Sequence, residues 1–217
     1  MCKVFASVFS ADFLNMGEDI ERAGLAKVDG LHIDVMDGAF VPLFGFNDLW
    51  IQQIRSASAL PLDLHIMSNR GEEVLGSLDL ERVETVTVHL ESGEEPGLLR
   101  QLKRIRDRGI QCALALSPDT KPEQILPYLE YIDGILVMSC QPGVAGAGFD
   151  ESVYRRIAGL RLLLRLKKGL FISVDGGLSL EKAMKCVEYG ADRVVIGRYL
   201  FQHADPREIV EQLHNLK

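Results

Sequence analysis

The chain has 217 residues, of which 47% are hydrophobic and 25% are charged, a composition typical of one globular domain. Its net charge of −7 argues against a protein that binds nucleic acid without regard to sequence. It contains no apolar run long enough to span a membrane and no secretory signal, so we expect a cytoplasmic protein. Its four cysteines form no CxxC pair, which favours free thiols in a reducing compartment.

Short apolar segments alternate with amphipathic segments along the whole chain. We predict eight strands, at 3–9, 30–36, 61–67, 83–90, 111–117, 133–139, 170–175 and 191–197. The segments between and after them predict helices at 12–27, 47–58, 71–79, 95–108, 121–130, 150–168, 179–189 and 205–215. Three of these predicted helices begin with a residue typical of an N-cap, namely Asp12, Ser179 and Asp205.

The alternation of eight strands with eight helices predicts a parallel sheet with the helices outside it. Eight such units in 217 residues favour a single α/β domain that spans residues 1–217 and folds as a (β/α)8 TIM barrel. A doubly wound dinucleotide-binding fold is disfavoured, because no GxGxxG motif follows the first strand.

Polar side chains interrupt the predicted strands near their C-terminal ends, where a TIM barrel has its active site. His32 and Asp34 alternate onto the same face of the second strand. His65 and Asp175 reach the same rim from the third and seventh strands. The other polar residues of these strand ends are Ser7, His89, Ser117 and Ser139. A buried carboxylate without a partner is costly, so this rim needs a metal ion, a hydrogen-bond network or a reaction to perform.

Two imidazoles and two carboxylates make a plausible ligand set for one divalent metal ion. Zinc is the first choice for mixed nitrogen and oxygen ligation, and iron, manganese and cobalt are alternatives. A buried histidine–aspartate network without a metal is the competing interpretation. We favour the metal, because the two glycines after Asp175 allow a ligand to approach closely. Three methionines share the rim, and ordinary core filling accounts for most methionines.

Glycine clusters follow the sixth, seventh and eighth strands, at 141–149, 175–179 and 196–201. Backbone N–H groups freed by glycine, together with the N-terminus of a short helix, form the usual phosphate site of a TIM barrel. A flexible hinge is an alternative role for the first cluster. Three clusters on neighbouring strands predict that the ligand carries a phosphate.

The chain resembles the ribulose-phosphate 3-epimerase family along nearly its whole length. The matching segments are SVFSADF, LHIDVMDGAFVP, LDLHIMS, ILVMSCQPGVAG, ISVDGG and GADRVVIGRYLF, in the family's order and spacing. The resemblance implies metal-dependent epimerisation at C3 of a ketose phosphate, with D-ribulose 5-phosphate and D-xylulose 5-phosphate as the leading pair. It also implies a homo-oligomer, either a dimer or a hexamer.

Carried over residue by residue, the family's metal ligands fall on His32, Asp34, His65 and Asp175. Its acid/base pair falls on Asp34 and Asp175, which act through an enediolate intermediate. The substrate-binding residues that the resemblance implies are Ser7, His65, Met36, Met67, Met138, Gly143, Gly146, Gly176, Gly177, Gly197 and, at a position where the family usually has serine, Arg198.

The sequence departs from the family pattern at four positions around the substrate. Leu43 replaces a usual asparagine, and Ala145 and Ala147 stand at usual glycine and glutamine positions. Arg198 introduces a charge that could contact a phosphate. These departures leave the catalytic residues intact but keep D-allulose 6-phosphate open as an alternative substrate.

Two other functions are weighed against the epimerase. One is an aldolase or decarboxylase that acts on a sugar phosphate. A Schiff-base aldolase would need a lysine near the C-terminal end of a strand, and no predicted strand carries one. A non-catalytic sugar-phosphate sensor would have no need for both Asp34 and Asp175.

Overall fold

The computed structural model describes residues 1–144, 146–167 and 169–216. Within these ranges eight parallel strands pair in chain order, and the last strand pairs with the first to close a barrel. The strands are β1 (Lys3–Ser7), β2 (Gly30–Met36), β3 (Leu62–Met67), β4 (Val83–His89), β5 (Gln111–Leu116), β6 (Gly134–Met138), β7 (Phe171–Asp175) and β8 (Arg193–Ile196). The predicted (β/α)8 TIM barrel is confirmed.

In the part of the chain that the structure describes, six α-helices connect successive strands, and two more follow the last strand. They are α1 (Met16–Leu25), α2 (Asp48–Ala57), α3 (Gly71–Ser77), α4 (Glu95–Arg106), α5 (Ser152–Leu163), α6 (Leu180–Glu188), α7 (Arg198–Phe201) and α8 (Pro206–His214). Between β5 and β6 the chain forms a 3-10 helix, Pro122–Tyr131, where the sequence predicts an α-helix. Pro127 lies inside this segment and has no N–H for an α-helical hydrogen bond. No helix in the described ranges is long and apolar enough to cross a membrane.

Two of the three predicted N-caps are confirmed. The side chain of Ser179 accepts a hydrogen bond from Lys182 N, and that of Asp205 accepts one from Arg207 N. The prediction for Asp12 is wrong, because α1 begins four residues later, at Met16. Asp12 instead accepts hydrogen bonds from the two residues before Met16 and so holds a local turn, as short polar side chains often do.

The two faces of each strand meet different surroundings. On β2, Leu31, Ile33 and Val35 pack into the apolar layer between the barrel and the helices. His32 and Asp34 alternate with them and therefore point into the barrel. Burial of the outward apolar faces holds the barrel together, which leaves its interior free to carry polar groups.

The N-terminal end of the barrel is filled by Arg193. Its guanidinium lies 3.5 Å from the centroid of the Phe171 ring and donates hydrogen bonds to Thr85 Oγ1 and Gln111 Oε1 at 3.1 and 2.8 Å. These contacts come from β4, β5 and β7 and satisfy a buried charge. Access to the interior is therefore from the C-terminal ends of the strands.

Candidate active site

The backbone around Asp34 is held on both sides. In the register of β2 with β3, Asp34 lies opposite His65. After β2 the chain turns back, so that Gly45 N donates to Met36 O at 3.0 Å and Phe46 N donates to Asp34 O at 2.9 Å. A Cβ atom on Gly45 would lie 2.2 Å from Asp34 O, so only glycine permits this approach. The backbone that carries the Asp34 side chain is thus held by hydrogen bonds from the following loop.

Four predicted site residues meet at one point inside the barrel. One ligand atom each from His32, Asp34, His65 and Asp175 lies within 4.8 Å of the others. His32 Nε2 and His65 Nδ1 each lie 3.4 Å from Asp34 Oδ1, and they lie 3.7 and 4.0 Å from Asp175 Oδ2. The structure therefore brings together from three strands the residues that the sequence predicts as metal ligands.

The donor atoms of this cluster fit a metal ion. His32 Nε2 and His65 Nδ1 are fully buried and make no hydrogen bond within the described part of the chain. The other nitrogen of His32, Nδ1, donates to Asp63 Oδ2 at 2.7 Å. A metal-ligating histidine usually donates its second N–H to a carboxylate in this way, which turns the free lone pair towards the metal. These residues could hold a divalent cation.

The two aspartates of the cluster differ in proton affinity. Burial acts to raise the pKa of Asp34, but the imidazoles of His32 and His65 outweigh it and hold this pKa below its usual range. Burial also raises the pKa of Asp175, to about 6, and the charge of Asp34 adds to the increase. Neighbouring carboxyl groups with such different proton affinities are typical of an acid/base pair.

The pKa of His32 reflects the same crowding of charge. Burial acts to lower this pKa, but the carboxylates of Asp63 and Asp34 outweigh it and raise it well above its usual value. The carboxylates around His32 therefore favour positive charge at this point, which either a proton on the imidazole or a cation beside it would supply.

A cavity of about 370 Å³ opens above the cluster at the C-terminal rim. Nine of the predicted site residues line it: Ser7, Asp34, Met36, Met67, Met138, Gly143, Gly146, Asp175 and Arg198. Ser7 Oγ donates to Asp34 Oδ2 at 3.3 Å, which places the hydroxyl beside the carboxylate. Leu43, where the family usually has asparagine, also lines this cavity.

A second cavity, of about 380 Å³, shares Asp175 and Arg198 with the first and extends it towards β8. Gly177, Gly197 and Ala147 lie in its wall. Ala145 lies outside the described residues. A larger open depression, of about 700 Å³, lies beside α5, and no predicted site residue lines it.

Gly176 lines neither of these two cavities. Its φ is +116°, and a Cβ there would lie 2.6 Å from Cys140 Sγ and 2.7 Å from Ser139 Oγ. The residue thus allows the ends of β6 and β7 to approach closely. Its role in substrate binding stays a prediction.

Comparison with known proteins identifies the family. The model of the ribulose-phosphate 3 epimerase family matches residues 3–201, which is nearly the whole chain. The chain belongs to this family. The resemblance predicted from the sequence motifs is confirmed.

The relatives cover all or nearly all of the chain. Ribulose-phosphate 3-epimerase of Bacillus subtilis (strain 168) is 31% identical over 100% of both chains. The chloroplastic ribulose-5-phosphate-3-epimerase of Arabidopsis thaliana is 34% identical over 96% of this chain and 74% of its own length.

Solved structures with little sequence identity share the architecture. KGPDC from Streptococcus mutans has a TM-score of 0.71 at 14% identity, with 99% of this chain and 96% of that chain covered. Phosphoribosyl anthranilate isomerase from Thermus thermophilus has a TM-score of 0.68 at 16% identity, with 99% and 100% covered. At such low identity these likenesses show the fold alone.

Two carboxylates near the cluster are not predicted from the sequence. Asp63 contacts His32, and Glu91 contacts His89. Asp63 lies two residues before His65 and shares the inner face of β3 with it, so this spacing could have revealed it. Glu91 follows His89 by two residues, but β4 ends at His89, so strand periodicity gives no direction for its side chain. His89 itself is predicted from the sequence as a residue of the rim.

Proposed function

We propose that the protein catalyses reversible epimerisation at C3 of a ketose phosphate, with D-ribulose 5-phosphate and D-xylulose 5-phosphate as its substrates. The observation that carries the proposal is the pair of carboxyl groups, Asp34 and Asp175, that lines one cavity beside a histidine cluster. Their pKa values are displaced in opposite directions, so one can accept a proton while the other holds one. The names of the curated relatives support this choice of substrate.

His32, Asp34, His65 and Asp175 would hold one divalent metal ion, with zinc as the first choice and iron, manganese or cobalt as alternatives. When bound, such an ion supplies Lewis-acid stabilisation of negative charge that develops on the substrate. Asp63 supports the arrangement, because its hydrogen bond with His32 Nδ1 turns Nε2 towards the site.

The protein's own part in the reaction is proton transfer. The C3 proton of a ketose phosphate is acidified by the neighbouring C2 carbonyl, so its removal gives an enediolate. Epimerisation needs removal from one face and return to the other, which two groups can do when the reacting carbon lies between them. In one direction Asp34 accepts the proton and Asp175 donates; in the other direction the roles are exchanged.

The remaining cavity wall suits such a reaction. The methionine side chains of Met36, Met67 and Met138 bring polarisable sulfur and no exchangeable proton. Ser7 lines the same cavity. Its Oγ donates to Asp34 and can still accept a hydrogen bond from a substrate hydroxyl.

The phosphate end of the substrate would lie towards β8, beside the residues that both cavities share. Gly146 and Arg198 line both cavities, Gly143 lines the first, and Gly177 and Gly197 line the second. Arg198 is also the first residue of the short helix α7. No carboxylate of the described residues forms an ion pair with Arg198, so its guanidinium is available to an anion. The predicted homo-oligomer stays a prediction.

The proposal is tested with a panel of ketose 5- and 6-phosphates carrying deuterium at C3. We expect metal-dependent conversion of D-ribulose 5-phosphate to D-xylulose 5-phosphate, with loss of the deuterium to solvent. Faster turnover of D-allulose 6-phosphate would assign the same chemistry to the alternative substrate. Binding without loss of deuterium from any member would contradict the proposal and indicate a sugar-phosphate sensor.

Replacement of Arg198 by serine, the usual family residue, should weaken substrate binding more than it slows the chemical step. A hydrogen bond to a charged group contributes about 1.5–3 kcal/mol, so we expect KM to rise by roughly 10- to 100-fold while kcat changes little. Steady-state kinetics of Arg198→Ser measure both values. Arg104→Ser is a matched control, since Arg104 lies on α4, on the opposite side of the barrel. An unchanged KM in Arg198→Ser would place the phosphate elsewhere.

A further inference from the structure

A chain of hydrogen bonds leads from the cluster to a carboxylate outside it. His65 Nε2 lies 2.9 Å from His89 Nε2, and His89 Nδ1 lies 2.9 Å from Glu91 Oε2. Both histidines are fully buried, and the ring of Phe40 covers that of His89 with 4.9 Å between centroids. The mechanism proposed above uses neither His89 nor Glu91.

Glu91 is held in the form that accepts hydrogen bonds. Its Oε1 accepts from Ser117 N at 2.8 Å and from Thr120 Oγ1, and its Oε2 faces His89. Burial acts to raise the pKa of Glu91, but the hydrogen bonds from His89, Thr120 and Ser117 outweigh it and lower the pKa to about 2. The ionised carboxylate has no proton to donate, so the proton of this contact must sit on His89 Nδ1.

The position of that proton fixes the next one. A neutral imidazole carries one proton, so His89 with its proton on Nδ1 presents a bare Nε2. His89 Nε2 and His65 Nε2 lie 2.9 Å apart, and one proton between two imidazole nitrogens makes this hydrogen bond. His65 must then donate from its own Nε2. Its remaining nitrogen, Nδ1, is left without a proton and faces Asp34 Oδ1 at 3.4 Å.

We infer that Glu91 is a positioning residue for the metal site, because it selects through His89 the tautomer of His65 whose Nδ1 can bind a metal ion. The inference rests on the proposed metal ligation and adds His89 and Glu91, which would not touch the metal ion themselves. Asp63 selects the tautomer of His32 by direct contact, whereas Glu91 acts on His65 through the imidazole of His89. Residues that orient ligands in this way are worth about 10- to 100-fold in metal affinity.

The hydrogen bonds that run from Glu91 through His89 to His65 form a relay. The variant Glu91→Gln should reverse the direction of these hydrogen bonds while the side chain keeps nearly the same size. Ser117 N–H can only donate, so the amide oxygen of the new side chain stays on it and the amide nitrogen faces His89. An amide N–H needs an acceptor, so His89 moves its proton to Nε2. His65 Nε2 must then accept, and its proton moves to Nδ1, the atom that faces the metal site.

Titration of the chelator-stripped full-length chain with Zn²⁺ measures the consequence. We expect Glu91→Gln to bind Zn²⁺ about 10- to 100-fold more weakly than the wild type, with the thermal unfolding temperatures of the metal-free proteins nearly equal. Thr120→Val is the matched control, because it removes one hydrogen bond from Glu91 but keeps the carboxylate on His89. Its Zn²⁺ affinity should stay near that of the wild type.

The tautomers can also be observed directly, in the wild type and in the variant. Long-range ¹H–¹⁵N NMR of the histidine-labelled wild-type chain should place the protons on His65 Nε2 and His89 Nδ1. In Glu91→Gln they should move to His65 Nδ1 and His89 Nε2.

Three results would overturn the inference. A wild-type proton on His65 Nδ1 would do so even if the variant failed to fold. Equal Zn²⁺ affinities of the wild type and Glu91→Gln would overturn the relay alone and leave the proposed function standing. Absence of Zn²⁺ binding by the wild type would overturn both the relay and the proposed zinc ligation.

Discussion

Replacement of either Asp34 or Asp175 by asparagine should abolish epimerisation in both directions. Each carboxyl group serves as the base for one epimer and as the acid for the other, so one complete cycle needs both. Asparagine keeps the shape and one oxygen but cannot transfer the proton. General acid–base catalysis typically contributes about 10²- to 10⁴-fold, and we expect losses of at least this size in kcat for each variant.

Solvent exchange separates the roles of the two groups. A variant that retains one base can still remove the C3 proton of the epimer that this base faces and return it to the same side. In D₂O, any residual incorporation of deuterium should therefore favour one epimer in Asp34→Asn and the opposite epimer in Asp175→Asn. NMR of the recovered sugar phosphates measures this incorporation.

The metal content of each variant must be measured beside its activity, because Asp34 and Asp175 are also candidate ligands. Asp37→Asn is a matched control: Asp37 lies three residues after Asp34, but its carboxylate accepts hydrogen bonds from Ser68 and from two backbone N–H groups of its own turn. This control should retain epimerisation in both directions. Turnover near the wild-type rate by metal-loaded Asp175→Asn would disprove the two-base mechanism.

The sequence predicts the barrel because its strands and helices have different periods. Leu31, Ile33 and Val35 show that one face of β2 is buried by helices, and the same pattern recurs along the chain. Element ends are less well determined, because they depend on local hydrogen bonds. The first strand was predicted to residue 9, but a 3-10 turn over Val8–Ser10 ends it at Ser7.

The candidate site was predictable to the extent that it follows from alternation within single strands. His32 and Asp34 share a face of β2, and strand ends of a TIM barrel meet at one rim. The contact of His32 with Asp63 depends on the register between β2 and β3, which a single sequence does not specify. Glu91 reaches His89 through a 3-10 turn after β4, so its position depends on the folded backbone.

Removal of the metal should abolish activity as effectively as removal of a catalytic carboxylate. Four candidate ligands converge, and two of their nitrogen atoms have no hydrogen bond within the described residues, so we expect about one divalent ion per chain in gently purified protein. Lewis-acid stabilisation contributes several kcal/mol, which corresponds to a loss of roughly 10²-fold or more on chelation. Elemental analysis and assays before chelation, after it and after addition of each metal measure both quantities.

His65→Ala tests whether that ion is held where we propose. Loss of one ligand should lower the metal occupancy and the activity together, because the remaining three donors bind the ion more weakly. His214→Ala is the matched control: His214 lies on α8, and its Nε2 contacts Asp29 at 2.8 Å, outside the cluster. It should keep both metal and activity. Full activity of the wild type in a rigorously chelated, metal-free sample would contradict metal dependence, and unchanged occupancy in His65→Ala would move the ion to another site.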